Sequence, residues 1–280
     1  MITINSLSGG KSSSYIAKEY SASYNVFALV RSSDKKIMYP DAKVRQIVSD
    51  KIGKEFIATL EMDAIIPIML ELEQYIGEQI TWVSGETFDD VIFNRGNYLP
   101  NLMARYCTTE LKMKPIFEWW QREVKNVCFM NIGFRWGEER RRERMRSRLN
   151  EDGIDEYHGV IGRRKTQQKW AMIPWRIPRF PLIDRHIKND IIDAYWIGKP
   201  VPFIKGYYNN CVGCFHKNPL LLSMMNRENS NKMAWFERQE EKTGNRFRKD
   251  ISFKQINNWQ PYAELEFDDF TDCDSGYCGL

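Results

Sequence analysis

The sequence feature that most constrains the fold is a short glycine- and serine-rich stretch near the start of the chain, Ser-Gly-Gly-Lys-Ser-Ser at residues 8–13. The preceding residues 2–7 include β-branched residues in an alternating pattern typical of a strand, and a segment from Tyr15 onward predicts a helix. A strand, a glycine-rich turn and a helix direct several backbone N–H groups and the positive end of a helix at one anion. The stretch therefore predicts a phosphate-binding loop.

Every residue of this loop has a candidate role in binding phosphate. The two glycines let the backbone approach closely, the three serines can donate hydroxyl hydrogen bonds, and the lysine adds a positive charge. A Walker A loop is excluded, because that motif needs a glycine where this chain has Asn5. A Gly-Gly turn between a strand and a helix is also common without any ligand, so the loop alone leaves both interpretations open. The candidate residues are Ser8, Gly9, Gly10, Lys11, Ser12 and Ser13.

The composition is typical of a globular protein. The chain of 280 residues is long enough to bury a core, and 42% of its residues are hydrophobic and 13% aromatic. Its formal net charge of +4 is too small to indicate a nucleic-acid-binding protein by itself. No apolar run approaches the ~20 residues of a membrane span, and the first residues do not resemble a signal peptide. We therefore expect a cytoplasmic protein with no membrane partner, in which the six cysteines are ligands, redox groups or core residues.

Predicted strands and helices alternate along the first half of the chain. Further strands are predicted at residues 26–30, 56–60, 80–83 and 127–132, and helices at residues 44–52 and 64–75. This alternation favours a parallel α/β sheet with the loop at a carboxyl strand end, where such folds bind ligands.

The second half of the chain is less regular. Residues 150–170 are polar, punctuated by glycines and without clear periodicity, so we expect an insertion or lid there. We assign residues 1–220 to the α/β domain and residues 221–280 to a mostly helical C-terminal extension with a cysteine-containing tail.

A basic segment directly follows the last of these predicted strands, at the sheet edge that carries the loop. Gly133 and Arg135 open it, and six arginines lie between residues 140 and 148. Arginine binds phosphate or sulfate bidentately, so Arg135 and Arg142 are candidate anion ligands. The other arginines are typical of a solvated helix face with Glu–Arg pairs. A nucleic-acid backbone bound on the helix at 140–148, with the basic residues 163–165 close behind in the sequence, is the alternative.

The cysteines occur at positions that suggest ligation. Cys107 precedes a helix-like segment and has basic neighbours that would favour its thiolate, although a buried cysteine acting as a small hydrophobe is the alternative. Cys211 and Cys214 form a Cys-x-x-Cys motif, typical of metal, cluster or redox chemistry, and no second such motif accompanies it. Cys273 and Cys278 lie in the last eight residues. The sixth cysteine belongs to an apolar strand and is expected in the core.

Four stretches, in this order and spacing, resemble the phosphoadenosine phosphosulfate (PAPS) reductase family and the wider superfamily of ATP pyrophosphatases. Residues 8–13 resemble the family's Ser-Gly-Gly-x-Asp-Ser loop, with Ser12 in place of the aspartate. Residues 105–115 resemble Arg-Trp-Cys-Thr-x-x-Leu-Lys-x-x-Pro, and residues 133–142 resemble Gly-Ile-Arg-x-Asp-Glu-Ser-x-x-Arg. Residues 181–184, 190–191 and 211–214 resemble Pro-Ile-x-Asp, Asp-Val and the family's Cys-x-x-Cys.

The resemblance implies a Rossmann-like sheet of the adenine nucleotide alpha hydrolase type, so that residues 1–220 would bind ATP or a PAPS-like adenine nucleotide. It places the phosphates or sulfate on residues 8–13, with Gly133, Arg135 and Arg142 as further nucleotide ligands. Whether magnesium accompanies the nucleotide stays open.

The resemblance also implies an iron–sulfur cluster. In the iron–sulfur members of the family, a cysteine pair at the positions of residues 106 and 107 joins the later Cys-x-x-Cys in holding a [4Fe–4S] cluster. This chain has only Cys107 of that pair, which leaves Cys107, Cys211 and Cys214 as ligands. A four-cysteine cluster needs one more, and Cys273 is the expected supplier, with Cys278 as the other candidate. Zinc bound by the cysteines is the alternative.

Three functions are compatible with this resemblance. The first, which we favour, is ATP-pyrophosphatase-type sulfur transfer, in which ATP adenylates an acceptor, nucleic acid among the candidates, and a sulfur donor delivers sulfur beside the cluster. Lys11 and Arg135 are its candidate catalytic residues. The second is a PAPS or adenylyl-sulfate reductase with Cys278 as nucleophile, because the terminal Cys-Gly-Leu resembles the family's C-terminal fragment. The third is a non-catalytic nucleotide-binding module with structural zinc. The number of chains in the assembly stays open.

Overall fold

A computed structural model describes residues 1–164, 167–203 and 211–259. The strands are β1 (Thr3–Leu7), β2 (Tyr24–Ala28), β3 (Ile80–Val83), β4 (Cys128–Asn131), β5 (Asp155–Arg164) and β6 (Gln167–Arg179). The helices are α1 (Lys11–Glu19), α2 (Ala42–Ile52), α3 (Ile65–Ile76), α4 (Phe88–Asn94), α5 (Tyr106–Thr108), α6 (Lys114–Glu123), α7 (Glu139–Arg146), α8 (Pro181–Asp184), α9 (Asn189–Trp196), α10 (Pro219–Glu228), α11 (Ser230–Thr243) and α12 (Phe253–Asn258).

The strands of the described residues form one sheet in the order β3-β2-β1-β4-β6-β5. Every neighbouring pair is parallel except β5 with β6, which is antiparallel. Helices flank this sheet, so the predicted α/β class with a largely parallel sheet is confirmed.

The pairing of β1 with β4 at the centre of the sheet brings together the two loops that follow these strands. From β1 the chain adds β2 and then β3 on one side, whereas β4 pairs with β1 on the other side. The strand order therefore reverses between β1 and β4, and sheets of this kind bind ligands in a crevice at the carboxyl ends of the two strands at such a point. We refer to this position as the crevice. The loop at residues 8–13 follows β1, and the basic segment from Gly133 follows β4, so both lie at this crevice.

Three buried asparagines tie the central strands to one another. Asn5 on β1 donates its side-chain Nδ2 to Asn25 Oδ1 on β2 at 3.0 Å and accepts from Asn131 Nδ2 on β4 at 2.8 Å. All three residues are buried. A one-residue slip of either neighbouring strand would leave these amides without partners in the interior, so the ladder fixes the strand register.

One predicted strand is absent from the described part of the sheet. Residues 56–60 were expected to form it, but β3 pairs directly with β2 and occupies that position. The segment is extended and makes only isolated bridges nearby, Ser32 with Ala58 and Glu61 with Cys211. It serves instead as a buried link to which the Cys-x-x-Cys segment attaches.

The segment predicted as an insertion or lid has regular structure in its described residues. Residues 155–164 and 167–179 form a long antiparallel hairpin, β5 and β6. Arg176 at the C-terminal end of β6 pairs with Cys128 at the start of β4, and β4 runs from there toward the crevice. Gln167, the first residue of β6, lies nine residues earlier, about 30 Å away at a strand's rise per residue. The hairpin therefore extends from the amino edge of the sheet, away from the crevice.

The C-terminal helices share a core with earlier parts of the chain. One hydrophobic cluster joins Leu60 and Phe88 to Trp235 and Phe236 of α11 and to Phe253 of α12. Helices α10, α11 and α12 also pack on one another. The residues after 220 thus complete the interior beneath the cysteine-bearing segments.

We predict that Asn5→Ala destabilises the protein by about 2–4 kcal/mol, because it leaves the buried atoms Asn25 Oδ1 and Asn131 Nδ2 without the hydrogen bonds that Asn5 provides. Urea unfolding followed by circular dichroism measures the change. Asn94→Ala, at an exposed position of α4, is the matched control and should stay within about 0.5 kcal/mol of wild type. Equal stabilities of the two variants would contradict a structural role for the ladder.

Candidate nucleotide-binding crevice and cysteine cavity

The loop after β1 forms a tight turn at the start of α1. The Ser13 hydroxyl donates to the Gly10 carbonyl at 3.0 Å and accepts from the Ser8 N–H at 3.2 Å. Gly9 has a positive φ of 81°, and an added Cβ there would lie 2.5 Å from Ile65 Cγ1 of α3. Only glycine fits at this position without strain or displacement of Ile65. Because α1 begins at Lys11, its first N–H groups, which have no partner within the helix, face the crevice.

The loop after β4 lies directly against this first turn of α1. A Cβ on Gly133 would lie 3.4 Å from Ser13 N and 3.6 Å from Ser12 Cβ. The Ser12 hydroxyl is buried and has no hydrogen-bond partner among the described residues. The structure therefore brings the predicted ligands Ser12, Ser13 and Gly133 together.

Arg135 is buried, and its guanidinium is held by neighbouring side chains. It donates to Asn189 Oδ1 of α9 at 2.6 Å and lies 3.4 Å from Glu138 Oε2. Glu138 also accepts from the Arg135 N–H at 2.7 Å and from Arg141. Arg135 thus links the loop after β4 to α9. Its contacts favour a role in positioning that loop over the direct phosphate contact expected from the sequence.

Lys11 is held in an ion pair with Asp193 of α9, with Nζ 2.6 Å from Oδ1. Asn189 donates to the other carboxylate oxygen of Asp193 at 2.8 Å and accepts from Arg135. A continuous polar chain therefore links the two crevice loops through α9. Since the Lys11 and Asp193 side chains are 34% and 40% exposed, an incoming anion can compete for the ammonium group.

Arg142 contacts its neighbour Glu143, with Nε 2.9 Å from Oε1. Arg146 lies 3.8 Å from the same carboxylate, whereas Arg140 and Arg144 are exposed. The helix α7 thus carries both Glu–Arg pairs and exposed cations, and the contacts of Arg142 are directed along α7.

Three cysteines from distant parts of the sequence line one cavity. Cys107, Cys211 and Cys214 meet there with Arg105 and Lys112. The cavity volume of about 50 Å³ has room for a few water molecules but not for a nucleotide. A nucleotide therefore belongs in the crevice and not among the cysteines.

Two local structures bring these cysteines together. Cys107 lies in α5, which continues through a π turn (Thr109–Met113) into α6. The Cys-x-x-Cys segment attaches to residues 60–61, where Val212 N donates to Leu60 O at 2.7 Å. Within the motif, Cys214 N donates to Cys211 O at 3.1 Å.

The second of the two residues between the cysteines of the motif must be small. A Cβ on Gly213 would lie 2.4 Å from Phe236 Cδ2, so the motif packs with its backbone against an aromatic ring of α11. The C-terminal helices therefore support the cysteine cavity directly.

Positive charge surrounds the cysteines. Arg105 Nε and Nη1 are buried and have no hydrogen-bond partner among the described residues. Burial lowers the pKa of the Arg105 guanidinium, whereas the adjacent Cys214 and Cys107 raise it. An orphaned guanidinium beside thiol groups has donors available for an anion.

The second cation of the cavity, Lys112, forms a buried ion pair with Glu61, with Nζ 2.7 Å from Oε1. Burial by itself lowers the pKa of Lys112, but Glu61 and Cys211 outweigh this effect and raise it. Lys232 of α11 donates to the Glu61 carbonyl and to Asp63 at 2.7 Å. Residues 61–63, to which the Cys-x-x-Cys segment attaches, are thus fixed by charge as well as by backbone pairing.

The thiols of Cys107 and Cys211 are largely shielded from bulk solvent. Burial, with Cys214 as the next contribution, raises the pKa of Cys107 to about 11. Burial and the Glu61 carboxylate raise the pKa of Cys211. Cys128, by contrast, lies within β4, donates to Trp175 O at 3.5 Å and belongs to the core, as expected from its apolar strand.

The crevice and the cavity adjoin each other. Arg141, which bonds to Glu138 at the crevice, is close enough to Arg105 to lower the pKa of that guanidinium further. Val30, just beyond β2 at the carboxyl edge of the sheet, lines the cavity. The predicted nucleotide ligands and the three described cysteines therefore share one edge of the sheet.

The cysteine cavity can be compared with the requirements of a single zinc ion and with those of a [4Fe–4S] cluster. No group of three or more His, Cys, Asp or Glu side chains within residues 1–164, 167–203 and 211–259 is arranged to hold a metal ion. A single zinc ion needs its ligands around one centre, whereas a [4Fe–4S] cluster holds each cysteine on a different iron. The unpartnered donors of Arg105 beside Cys107, Cys211 and Cys214 suit an anionic group better than a lone cation. Cys273 and Cys278 lie outside the described residues.

Comparisons with protein-family models, with curated proteins and with solved structures find no match for this chain. Within the described residues, no helix has both the length and the apolar character needed to cross a membrane.

Several residues of the site escaped the sequence analysis. Asp193 and Asn189 connect the two crevice loops, and Glu61 neutralises Lys112. The resemblance at residues 190–191 marked the neighbourhood of α9 but gave no role to either residue. Arg105 lay within a recognised motif, and only its burial shows that it faces the cysteines.

We predict that Lys112→Met destabilises the metal-free protein by about 3 kcal/mol, because Glu61 would stay buried without its counter-charge. Thermal unfolding after chelator treatment measures this loss. Lys114→Met is the control from the adjacent turn; its side chain is 38% exposed and its effect should be below about 1 kcal/mol.

Adding Glu61→Gln to Lys112→Met should restore part of the stability, since the buried charge is then removed. A double variant as unstable as the sum of the two single variants would refute the ion pair as the cause.

Proposed function

We propose that this protein is an adenine-nucleotide-binding enzyme of the PAPS reductase type that couples ATP cleavage to sulfur transfer beside a [4Fe–4S] cluster. The observation that carries the proposal is the meeting of Cys107, Cys211 and Cys214 in one cavity with the orphaned donors of Arg105, next to the crevice. A cysteine-lined cavity or a nucleotide-binding crevice is common by itself. Sulfur transfer to an adenylated acceptor requires the two to be adjacent.

A Rossmann-like fold is part of the proposal. The order β3-β2-β1-β4 follows that of doubly wound dinucleotide-binding sheets, whose ligands lie where the strand order reverses. The N-terminus of α1 faces that position, and Gly133 allows the second loop to approach it closely. This arrangement supports ATP in the crevice, with its phosphates on residues 8–13.

The chain's own residues bind and orient the nucleotide. Backbone N–H groups at the start of α1 and the Ser12 hydroxyl donate to the phosphates, and Lys11 exchanges its contact with Asp193 for a phosphate oxygen. Arg135, held by Glu138 and Asn189, keeps the two loops at a fixed separation. An acceptor oxygen then attacks the α-phosphorus of ATP; the new oxygen–phosphorus bond replaces the bond to pyrophosphate, which leaves.

Cys107, Cys211 and Cys214 would hold the cluster, and Cys273 of the tail would supply the fourth thiolate. When bound, the cluster would supply the sulfur-transfer chemistry, with a low-molecular-weight sulfide donor as the source of the sulfur. Arg105 would donate its Nε–H and Nη1–H groups to the cysteine sulfurs and offset the negative charge of the cavity. Lys112 adds a second positive charge, paired to Glu61.

We predict that anaerobically purified protein contains about four irons and four sulfides per chain, with the corresponding visible absorbance. Cys211→Ala should abolish this content, because it removes one of the converging ligands. Cys128→Ala is the matched control, since that cysteine lies in β4, and it should keep its iron. One zinc and no iron in wild type would contradict the cluster and support a structural metal.

The role of the tail is tested in the same preparation. Cys273→Ala should lower the iron content, whereas Cys278→Ala should leave it unchanged. A full cluster spectrum after removal of residues 260–280 would refute the tail as a source of ligands.

A further prediction concerns the binding of the nucleotide. Lys11→Ala should weaken binding of magnesium-ATP about tenfold, the equivalent of one hydrogen bond to a charged group. Asp193→Asn should strengthen it several-fold, because it frees Lys11 and removes a negative charge near the phosphates. Isothermal titration calorimetry measures both, with Glu19→Gln at the far end of α1 as the control. Weaker binding by Asp193→Asn would show that the pair positions the loop instead of competing with phosphate.

A further inference from the structure

A groove with a volume of about 580 Å³ lies between residues 98–103 and residues 245–250. This volume falls within the range of clefts that hold ligands, roughly 300–1,000 Å³. Leu99 and Phe247 line the groove from the inside, and both are almost completely buried. The groove therefore has an apolar floor that is continuous with the core.

The first loop, residues 98–103, presents apolar side chains at the rim of the groove. Asn101 fixes its turn, because its side-chain Oδ1 accepts from Met103 N at 2.9 Å and from Ala104 N at 3.1 Å. Leu102 is 51% exposed and Met103 is 86% exposed. Apolar side chains that a defined turn holds in solvent favour a partner that covers them.

The second loop, residues 245–250, supplies positive charge. Arg246 and Lys249 line the groove and are exposed, and neither forms an ion pair within the described residues. The acidic side chain that lines the groove, Asp250, is already paired with Arg248, with Nη2 2.6 Å from Oδ2. The groove therefore offers two cations to a negatively charged ligand.

The C-terminal tail, residues 260–280, starts close to this groove. Glu240 of α11 accepts from the N–H of Phe247 on the groove floor at 3.1 Å and from the N–H of Phe253 at the start of α12 at 2.8 Å. The helix α12 has six residues and is about 9 Å long, and the tail follows it. A chain of this length spans at most about 70 Å. The groove is therefore within reach of the tail.

The sequence of the tail complements the surface of the groove. From residue 255 to residue 280 the chain contains no lysine, arginine or histidine. Its acidic residues are Glu264, Glu266, Asp268, Asp269, Asp272 and Asp274, and the apolar residues among them are Leu265, Phe267 and Phe270. An acidic segment with interspersed apolar side chains matches a groove with an apolar floor and two cations.

We propose that residues 264–270 of this chain bind in the groove. The apolar side chains of the segment cover Leu102 and Met103, and its carboxylates pair with Arg246 and Lys249. The docking goes beyond the chemistry proposed for the crevice and depends on neither a nucleotide nor a cluster.

The groove borders the cysteine cavity. Its first loop is followed two residues later by Arg105, which lines that cavity. From its second loop, Arg248 donates to Phe215 O at 2.6 Å, next to Cys214. A docked tail therefore lies beside the cysteines. The groove and residues 264–270 lie outside the stretches that resemble the PAPS reductase family, so the docking is proposed for this chain on its own residues.

Site-specific photo-crosslinking tests the contact in the full-length chain. Replacing Met103 with the photoreactive p-benzoylphenylalanine should give a cross-link that tandem mass spectrometry maps to residues 260–280. The chain also carries Cys273→Ala and Cys278→Ala, so that no metal or disulfide holds the tail. The same replacement at Ile197, which is 79% exposed after α9, is the matched control and should give no cross-link to the tail.

Limited proteolysis with chymotrypsin, which cleaves after aromatic residues, measures how firmly the tail is bound in the same background. Cleavage of a segment that opens and closes rapidly follows the population of its open form. Leu102→Ser with Met103→Ser, and Arg246→Glu with Lys249→Glu, should each speed cleavage of the tail about tenfold, since each pair of substitutions removes one of the two kinds of docking contact.

A charge exchange and a control on α7 locate the effect. Adding Glu264→Lys, Glu266→Lys and Asp268→Lys to the variant with two glutamates in the groove should restore protection, because opposite charges then face each other again. Arg140→Glu with Arg144→Glu changes two exposed cations of α7 by the same amount and should leave the cleavage rate as in wild type.

Three results would overturn the proposal. The first is the absence of a cross-link from position 103 to residues 260–280. The second is a cross-linked product at twice the mass of the 33.2 kDa chain, which would make the groove a contact between copies of this chain. The third is cleavage of the tail at the wild-type rate in both groove variants; faster cleavage in the α7 variant alone would place the tail on that helix instead.

Discussion

The candidate site depends on the register of the three central strands, which the buried amides of Asn25, Asn5 and Asn131 fix across the sheet. Because β1 and β4 are held side by side, the turns that follow them meet at one point, and Gly133 contacts the first turn of α1. Asn5 reaches the amides of both neighbouring strands only in this alignment. The asparagine ladder therefore determines the relative position of the loops that follow β1 and β4, and these two loops form the crevice.

A second constraint acts on the cysteines. Buried thiols, a buried carboxylate and two cations occupy a small volume, where unpaired charge is costly. Glu61 balances Lys112, and Lys232 fixes the same segment from α11, whereas Arg105 keeps donors without partners among the described residues. Arg105 thus keeps donors that an anion could use, which is the physical basis for the anionic cluster that we propose.

Local features of the fold could be predicted from the sequence, and long-range pairs could not. Residues 8–13 reveal a loop because glycines and serines between a strand and a helix have a local conformational meaning. The ion pair of Lys11 with Asp193 joins positions 182 residues apart, and no local pattern marks it. Residues 56–60 have the composition of a strand, but β3 fills the position beside β2. For the site, the resemblance supplied the three cysteines and the sequence showed the basic neighbours of Cys107, whereas Glu61 and its pairing with Lys112 emerged only from packing.

The packing of Gly213 on Phe236 has a consequence for biosynthesis. The Cys-x-x-Cys motif reaches its final conformation only when α11 lies against it, and α11 is translated after both cysteines and Cys107. During translation the α/β core can therefore begin to form while its cysteines still lack their supporting helix. The packed conformation of the motif can therefore form only after α11 has emerged from the ribosome.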